Sequence, residues 1–294
     1  MSKTKQRSLY TAYIVLVIIF FLYYLFPSEA AKNFIITNVN HINPDVDITL
    51  KGVDPVFPIG LKLHNVSIYH EDDPVFDADK LTLSPGLLSL FIGRLSLKFD
   101  CDAYGGNFKG GAGMPVIGGG IDNMSADVSL TDIQVGDILA FKLFLPQYNF
   151  SGILTGDITY NLKKNRKRSL ESQLNLMDSS VEFLASFYGL EALAFKQIDA
   201  EITLNNDLLK IEKLVSNGGD LSGNITGSIN IKTPIQRSVL DLKADVTPGP
   251  VIMDKLQKLG PMVKMLLKGR AGKKGVPVHL TGTIEKPGFK PGFF

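Results

Sequence analysis

Apolar and polar residues alternate along much of this chain beyond residue 45. Val46, Ile48 and Leu50 are separated by Asp47 and Thr49. The same period of two recurs in four later segments, at residues 198–204, 221–231, 240–246 and 276–284. Such alternation is typical of strands with one apolar face and one solvent-facing face. The pattern therefore predicts a mainly β protein.

The segments between these strands are short and polar. They read Asn205-Asn206-Asp207, Asn217-Gly218-Gly219-Asp220 and Lys232-Thr233-Pro234. Connections of this length favour antiparallel neighbours joined as hairpins or as a meander. A weak internal repeat agrees, because Tyr104-Gly-Gly-Asn-Phe-Lys-Gly110 is similar to Asn217-Gly-Gly-Asp-Leu-Ser-Gly223. Repeated use of one strand–turn–strand unit suggests an architecture built by duplication.

A few short helices interrupt the predicted strands. Ser28 and Glu29 can begin one that continues to about His41. Its apolar residues recur at helical spacing, at Ala31, Phe34, Ile35, Val39 and Ile42, and Pro44 ends it. A second helix is predicted from Val135 to Leu145. The clearest one runs from Val251 to Lys268, with a kink or break at Pro261, and either packs across the sheet or lies in a membrane interface.

The most apolar segment of the chain is Leu9–Phe26, 18 residues without a charged side chain. As a helix it is about 27 Å long, close to the hydrocarbon thickness of a bilayer. It predicts a single transmembrane helix, with Tyr10, Tyr13, Tyr23 and Tyr24 in the two headgroup belts. A cleaved signal peptide is the alternative, because Ser28-Glu29-Ala30 could be a cleavage site, but the apolar run is long for one.

The charges that flank this segment predict its orientation. Lys3, Lys5 and Arg7 precede it, and cations are retained on the cytoplasmic side of a membrane. We therefore expect residues 1–8 to form a cytoplasmic tail, residues 9–26 the transmembrane helix, and residues 27–294 one exported β domain. Under either alternative the bulk of the chain is exported.

Composition excludes several classes of function. The net charge of +2 gives no field that would attract nucleic acid, so no nucleic-acid partner is expected. Cys101 is the single cysteine, so the exported domain has no internal disulfide. The sequence His70-Glu71-Asp72-Asp73 has metal-ligand residue types, but it is more typical of a solvated loop. Neither a catalytic motif nor a cofactor motif is recognisable, so we expect no catalytic residues, no metal and no cofactor.

Two groups of residues are candidates for binding. One is a basic cluster that could contact lipid headgroups or the acidic surface of a partner, or could be a solvated hairpin tip: Lys163, Lys164, Arg166, Lys167 and Arg168. The other is an apolar strip that is either a closed core or an open groove: Ile225, Ile229, Ile231, Leu240, Leu242 and Val246. A groove would expose far more contiguous apolar surface than a monomer usually does.

The order of segments resembles a known family. The segments are Val46–Gly52, Pro58–Ile68, Ala78–Leu83, Leu87–Leu97, the Tyr104-Gly-Gly turn and Gly282–Phe289. This order resembles the AsmA-like family of periplasmic proteins, and within it the long-form GspN proteins of type II secretion systems. The resemblance spans nearly the whole chain, and its motifs are short. It implies an elongated, curled antiparallel sheet with an apolar inner groove, tethered to the bacterial inner membrane, and it carries over no catalytic residue.

The resemblance implies two functions that do not involve catalysis. The first is an inner-membrane-anchored periplasmic component of a type II secretion system, acting as scaffold or assembly factor. The second is an AsmA-like protein that binds or transfers lipid between the inner and outer membranes. The expected partners are the inner membrane, other type II secretion subunits and phospholipid.

Overall fold

The computed structural model describes most of the chain, in ten ranges. They are residues 3–42, 45–70, 72–87, 89, 93–115, 123–163, 167–187, 190–250, 252–253 and 275–291. Within these ranges, the side chains of residues 3–8, 12, 15, 16, 19, 22, 42, 185–187, 190, 289 and 291 are not described. Nearly all of the predicted helix Val251–Lys268 lies outside the described residues.

The protein is mainly β, as the alternating pattern predicted. Throughout the described residues, the strand pairings are antiparallel. The chain divides into two compact units, Met1–Pro85 and Gly86–Phe294. The division falls inside the segment for which one exported domain was expected.

The first unit combines two helices with four strands. The helices are α1 (Lys3–Tyr24) and α2 (Ser28–Ile42). The strands are β1 (Val46–Thr49), β2 (Gly52–Pro55), β3 (Leu61–His70) and β4 (Asp73–Pro85). β3 is central, because β1 and β2 pair along one edge of it and β4 along the other. The buried apolar side chains are Leu50, Val53, Leu63, Val66 and Ala78.

α1 covers most of the segment predicted to cross a membrane. Among the residues that the structure describes, no helix combines the length and the hydropathy of a membrane span.

α2 begins and ends close to where the sequence predicted. Ala31, Ile35 and Val39 are half-buried, and the helix contacts β1 and β2. Phe34 was assigned to the same apolar face, but it is 69% exposed. That part of the prediction is wrong, because at about 100° per residue Phe34 lies outside the arc that Ala31, Ile35 and Val39 form around the helix.

The second unit is a meander of eleven described strands. They are β5 (Arg94–Ala103), β6 (Gly106–Pro115), β7 (Ser125–Gln134), β8 (Tyr148–Lys163), β9 (Lys167–Phe187), β10 (Leu190–Asn205), β11 (Leu208–Gly219), β12 (Leu221–Asn230), β13 (Val239–Pro248), β14 (Val276–Thr283) and β15 (Pro287–Pro291). Each strand pairs with the next one in the chain. The predicted strands at 198–204, 221–231, 240–246 and 276–284 are confirmed within β10, β12, β13 and β14.

Short helical segments lie in the connections between these strands. A 3-10 turn at Val135–Asp137 leads into α3 (Leu139–Phe144), which confirms the helix predicted from Val135 to Leu145. A second 3-10 turn, Ile235–Arg237, lies between β12 and β13.

The two halves of the weak repeat form different turns. Tyr104 and Gly105 have φ angles of 53° and 70° and join β5 to β6 as a two-residue turn of the kind that matches strand twist. At Asn217–Asp220 the turn is wider, because the nearest paired residues are Ser216 and Gly223. The sequence similarity therefore marks two hairpins of different geometry.

Candidate functional site

Strand register places apolar residues of consecutive strands opposite one another on one face of the second unit. One row, each residue paired with the next, runs Phe108, Leu130, Gly156, Leu174, Ala200, Leu214, Ile225, Ala244, Val278. The row beside it runs Val128, Ile158, Ser172, Ile202, Ile211, Gly227, Leu242, Leu280. We call these two rows and the residues aligned with them the apolar face. It extends across β6 to β14.

The predicted groove residues lie on or beside this face. Leu240 and Leu242 are buried together with Ile211, and Ile225 and Ile229 pack against them. Val246 is half-buried at the far end of β13 from Leu240. Ile231 lies just beyond the end of β12, where its N–H donates to the carbonyl of Asp207, and it is not part of the cluster. Four of the six predicted residues, Ile225, Ile229, Leu240 and Leu242, therefore pack together, and Ile231 and Val246 do not belong to this cluster.

Burial along the apolar face is uneven. Leu130, Ile211 and Leu242 are buried, whereas Leu174, Leu214 and Ile225 are only half-buried. In a closed core most of these side chains would be fully covered. In the described residues the apolar face is therefore a partly covered surface around a small buried cluster.

Gly227 lies at the centre of that cluster. It is paired with Ile211 on one side and with Leu242 on the other. Its φ is 137°, and an added Cβ would collide with the carbonyl oxygen of Asp241. The glycine lets the backbones of β12 and β13 approach closely between two large side chains.

The opposite face of the same strands is polar, and cross-strand hydrogen bonds connect it. Ser129 donates to Asp157 at 2.5 Å and Thr159 donates to Asp127 at 3.0 Å. A depression of about 410 Å³ is lined mostly by residues of this face, among them the carboxylates Asp157, Glu171, Glu201 and Glu212, and also by Ser172 and Ile202 of the second row. Opposite charges and hydroxyls on adjacent strands stabilise a solvated sheet surface.

Two carboxylates of this polar face have lowered pKa values. Hydrogen bonds from the side-chain amides of Asn175 and Gln197 lower the pKa of Asp199. The pKa of Glu212 is lowered by Lys210, whose Nζ lies 2.7 Å from Oε2. Both groups are therefore kept ionised, which suits a hydrated surface and not proton transfer near neutral pH.

The basic cluster lies at the tip of the β8–β9 hairpin. Lys163 and Lys167 are exposed and pair with each other across the hairpin, while Lys164 and Arg166 lie outside the described residues. The guanidinium of Arg168 lies 3.4 Å from the carboxylate of Asp207, and the backbone N–H of Arg168 donates to the side-chain oxygen of Asn206. Arg168 thus binds the β10–β11 turn.

Two further candidate residues, His70 and Cys101, have surroundings that the structure defines. The Nδ1 atom of His70 lies 3.0 Å from the carbonyl oxygen of Asp45, while Glu71 lies outside the described residues. Burial, with the nearby carboxylates of Asp102 and Asp100, raises the pKa of the Cys101 thiol to about 11. That thiol is protonated at neutral pH, so it is a poor nucleophile. Across the described residues, no group of three metal-ligating side chains converges.

Sequence reasoning missed an aromatic cluster beside α3. The rings of Phe141 and Phe150 are 5.2 Å apart, and Tyr148 contacts both Phe150 and Phe183. Phe141, Tyr148 and Phe150 line a cavity of about 230 Å³ together with Val135 and Ile138. The signal was present in the sequence, because four aromatic residues occur between positions 141 and 150.

Sequence reasoning also missed a contact in the first unit. The hydroxyl of Tyr23, near the end of α1, lies 2.8 Å from the carbonyl oxygen of Val56 and 3.0 Å from that of Pro58. These two residues belong to the connection between β2 and β3, residues 56–60, which we call the Phe57 loop. Phe57 and Ile59 of this loop are 73% and 54% exposed.

No protein-family model, no curated protein and no solved structure is significantly similar to this chain.

Proposed function

We propose that this protein is an inner-membrane-anchored periplasmic component of a type II secretion system, a GspN-like member of the AsmA-like family. It acts as a scaffold or assembly factor and performs no chemistry. α1 with residues up to Phe26 is the anchor, and the β units project into the periplasm. In this proposal the sheet is elongated and curled, as in the family that the sequence resembles.

One observation carries the proposal. Four of the segments whose order resembles the GspN proteins overlap antiparallel strands: Val46–Gly52 overlaps β1, Pro58–Ile68 overlaps β3, Ala78–Leu83 lies in β4, and Gly282–Phe289 overlaps β14 and β15. The second unit presents a polar face with cross-strand hydrogen bonds. The edge strand of a sheet can offer its backbone groups to another strand. Such edges are docking surfaces for strands of other proteins.

The residues that could perform chemistry support a non-enzymatic role. The Cys101 thiol is held protonated, the His70 ring is engaged with the carbonyl of Asp45, and the Asp199 and Glu212 carboxylates have lowered pKa values. Each has a structural explanation in its own surroundings.

Deletion of the gene tests the proposed function. Secreted enzymes should then accumulate in the periplasm while the lipid composition of both membranes stays normal. The full chain should restore secretion from a plasmid. Intact secretion in the deletion strain would contradict the proposal.

A second function, lipid binding along the apolar face, is favoured by one specific observation. Leu174, Leu214 and Ile225 are only half-buried although they lie within one continuous apolar row. A photo-crosslinker at Ile225 should capture phospholipid in cells if this face is an open groove that binds lipid. A crosslinker at Thr226, the next residue on the opposite face, is the matched control. Equal capture at both positions, or capture at neither, would rule out a lipid-binding groove.

A further inference from the structure

The side chain of Tyr23, at the end of α1, contacts the Phe57 loop. Tyr23 lies where the sequence predicts the periplasmic headgroup belt, and its hydroxyl is within hydrogen-bond distance of two carbonyls of the loop. The rings of Tyr23 and Phe57 are 6.4 Å apart. The loop is therefore held at the level of Tyr23.

The loop exposes its apolar side chains, while part of its backbone is hydrogen-bonded. Phe57 and Ile59 point two large apolar side chains into solvent. The N–H of Val56 donates to the carbonyl of Gly60 at 2.9 Å, and Pro58 has no N–H. A segment that enters a headgroup region needs hydrogen-bond partners for its backbone polar groups. The Val56–Gly60 bond and the bonds from Tyr23 provide partners for several of these groups in the loop.

We propose that the Phe57 loop is a second membrane contact, in which Phe57 and Ile59 insert into the periplasmic interface of the same bilayer that holds α1. The partner is a lipid surface, because the exposed side chains are apolar and because the loop is continuous with the predicted headgroup position of Tyr23. Aromatic and aliphatic side chains at this depth are typical of interfacial anchors. This inference rests on the proposed membrane anchor.

The contact would fix the orientation of the first unit relative to the membrane. A helix alone leaves the following domain free to rotate about the helix axis. A second attachment on the β2–β3 connection removes that freedom, because β2 and β3 belong to the sheet that α2 covers. The first unit would then lie at a fixed height and tilt above the bilayer.

The chain contains no tryptophan, so single-tryptophan variants report on one position each. The full chain would be reconstituted into vesicles of phosphatidylethanolamine and phosphatidylglycerol that carry brominated acyl chains. Ile18→Trp reports on α1, Phe57→Trp on the loop, and Leu208→Trp, at an exposed position in the second unit, is the control. We expect brominated lipid to reduce the emission of the first two variants and not of the third.

The outcomes separate the loop from the anchor. Quenching at position 18 without quenching at position 57 would overturn the loop contact and leave the anchor in place. Absence of quenching at both positions would overturn both. Quenching at position 208 as strong as at position 57 would overturn the loop contact, because the effect would not be specific to the loop.

A second pair of variants tests the role of Tyr23. In the Phe57→Trp background, Tyr23→Phe removes only the hydroxyl and should reduce the quenching of the tryptophan. Tyr24→Phe removes the neighbouring exposed hydroxyl and should leave the quenching unchanged. If the two variants behave alike, Tyr23 does not hold the loop at its depth, and that part of the inference is overturned.

Discussion

The side-chain amide of Gln236 donates a hydrogen bond of 3.2 Å to the backbone carbonyl of Phe144, which lies 92 positions earlier in the chain. Gln236 is in the 3-10 turn between β12 and β13, and Phe144 is the last residue of α3, between β7 and β8. In strand order, β8 to β12 separate these two connections. The bond thus joins parts of the second unit that are not neighbours in the meander.

Replacing Gln236 by Ala should lower the stability of the second unit slightly. One lost hydrogen bond at an exposed position costs roughly 0.5–1.5 kcal/mol. Urea unfolding of the full chain followed by circular dichroism measures the change. Arg237→Ala, an exposed residue of the same turn, is the control and should have no such effect. Equal midpoints for the two variants would show that the bond does not contribute.

Ile225→Asp should destabilise the second unit strongly if its side chain packs as part of the core. The unpaired carboxylate would face Ile211, Leu240 and Leu242, and its burial costs several kcal/mol. Thr226→Asp places the same charge on the opposite, exposed face and should cost little. Thermal unfolding of both variants distinguishes the two faces, and a folded Ile225→Asp protein that no longer binds phospholipid would instead indicate an open groove.

Gly227→Ala should destabilise the protein by about 2 kcal/mol or more, because the new Cβ would meet the carbonyl of Asp241 at a φ that L residues rarely adopt. Gly111→Ala is the matched control. At Gly111 a Cβ would have its nearest neighbour, the carbonyl of Leu97, at 3.4 Å. Chemical denaturation should show a large loss for the first substitution and almost none for the second. A similar loss for both would refute the steric explanation.

The stability of the protein should fall above pH 9 in part because of Cys101. Folding raises the pKa of its thiol from an ordinary value of 9.0 to about 11, so the folded state retains the proton to higher pH than the unfolded state. The stabilisation that the Cys101 thiol contributes is fully present below pH 9 and is lost as the pH rises through 11. Because tyrosines and lysines also titrate there, the measured quantity is the difference in unfolding free energy between wild type and Cys101→Ala. A difference that is constant from pH 8 to 11 would contradict the prediction.

Much of the strand content could be predicted because it depends on local pattern. β12 and β13 alternate apolar and polar residues without interruption, so period two is readable from either segment alone. α3 was predicted for a similar reason: the 3-10 turn and the helix lie within one short stretch of the sequence, Val135 to Leu145. The neighbour order of the strands followed from short connections, which leave little choice of partner.

The contacts that were missed depend on residues far apart in the chain. Nothing local to Tyr23 indicates that its hydroxyl meets Val56 and Pro58, and nothing near Gln236 points to Phe144. Phe34 is a different case, because helical geometry alone places it outside the arc of Ala31, Ile35 and Val39. The half-buried state of Ile225 could not be predicted either. Alternation of apolar and polar residues predicts which face of the sheet a side chain is on, but not what covers that face.

The chain-order pairing of β5 to β15 has a consequence for how the protein reaches its native state. Each new strand needs only the strand synthesised just before it as a template, so the second unit can assemble by adding strands one at a time. The contacts that close first are close in sequence, which shortens the search compared with a sandwich of distant strands. A chain that emerges from its N-terminal end would therefore deliver each strand to an edge that can accept it.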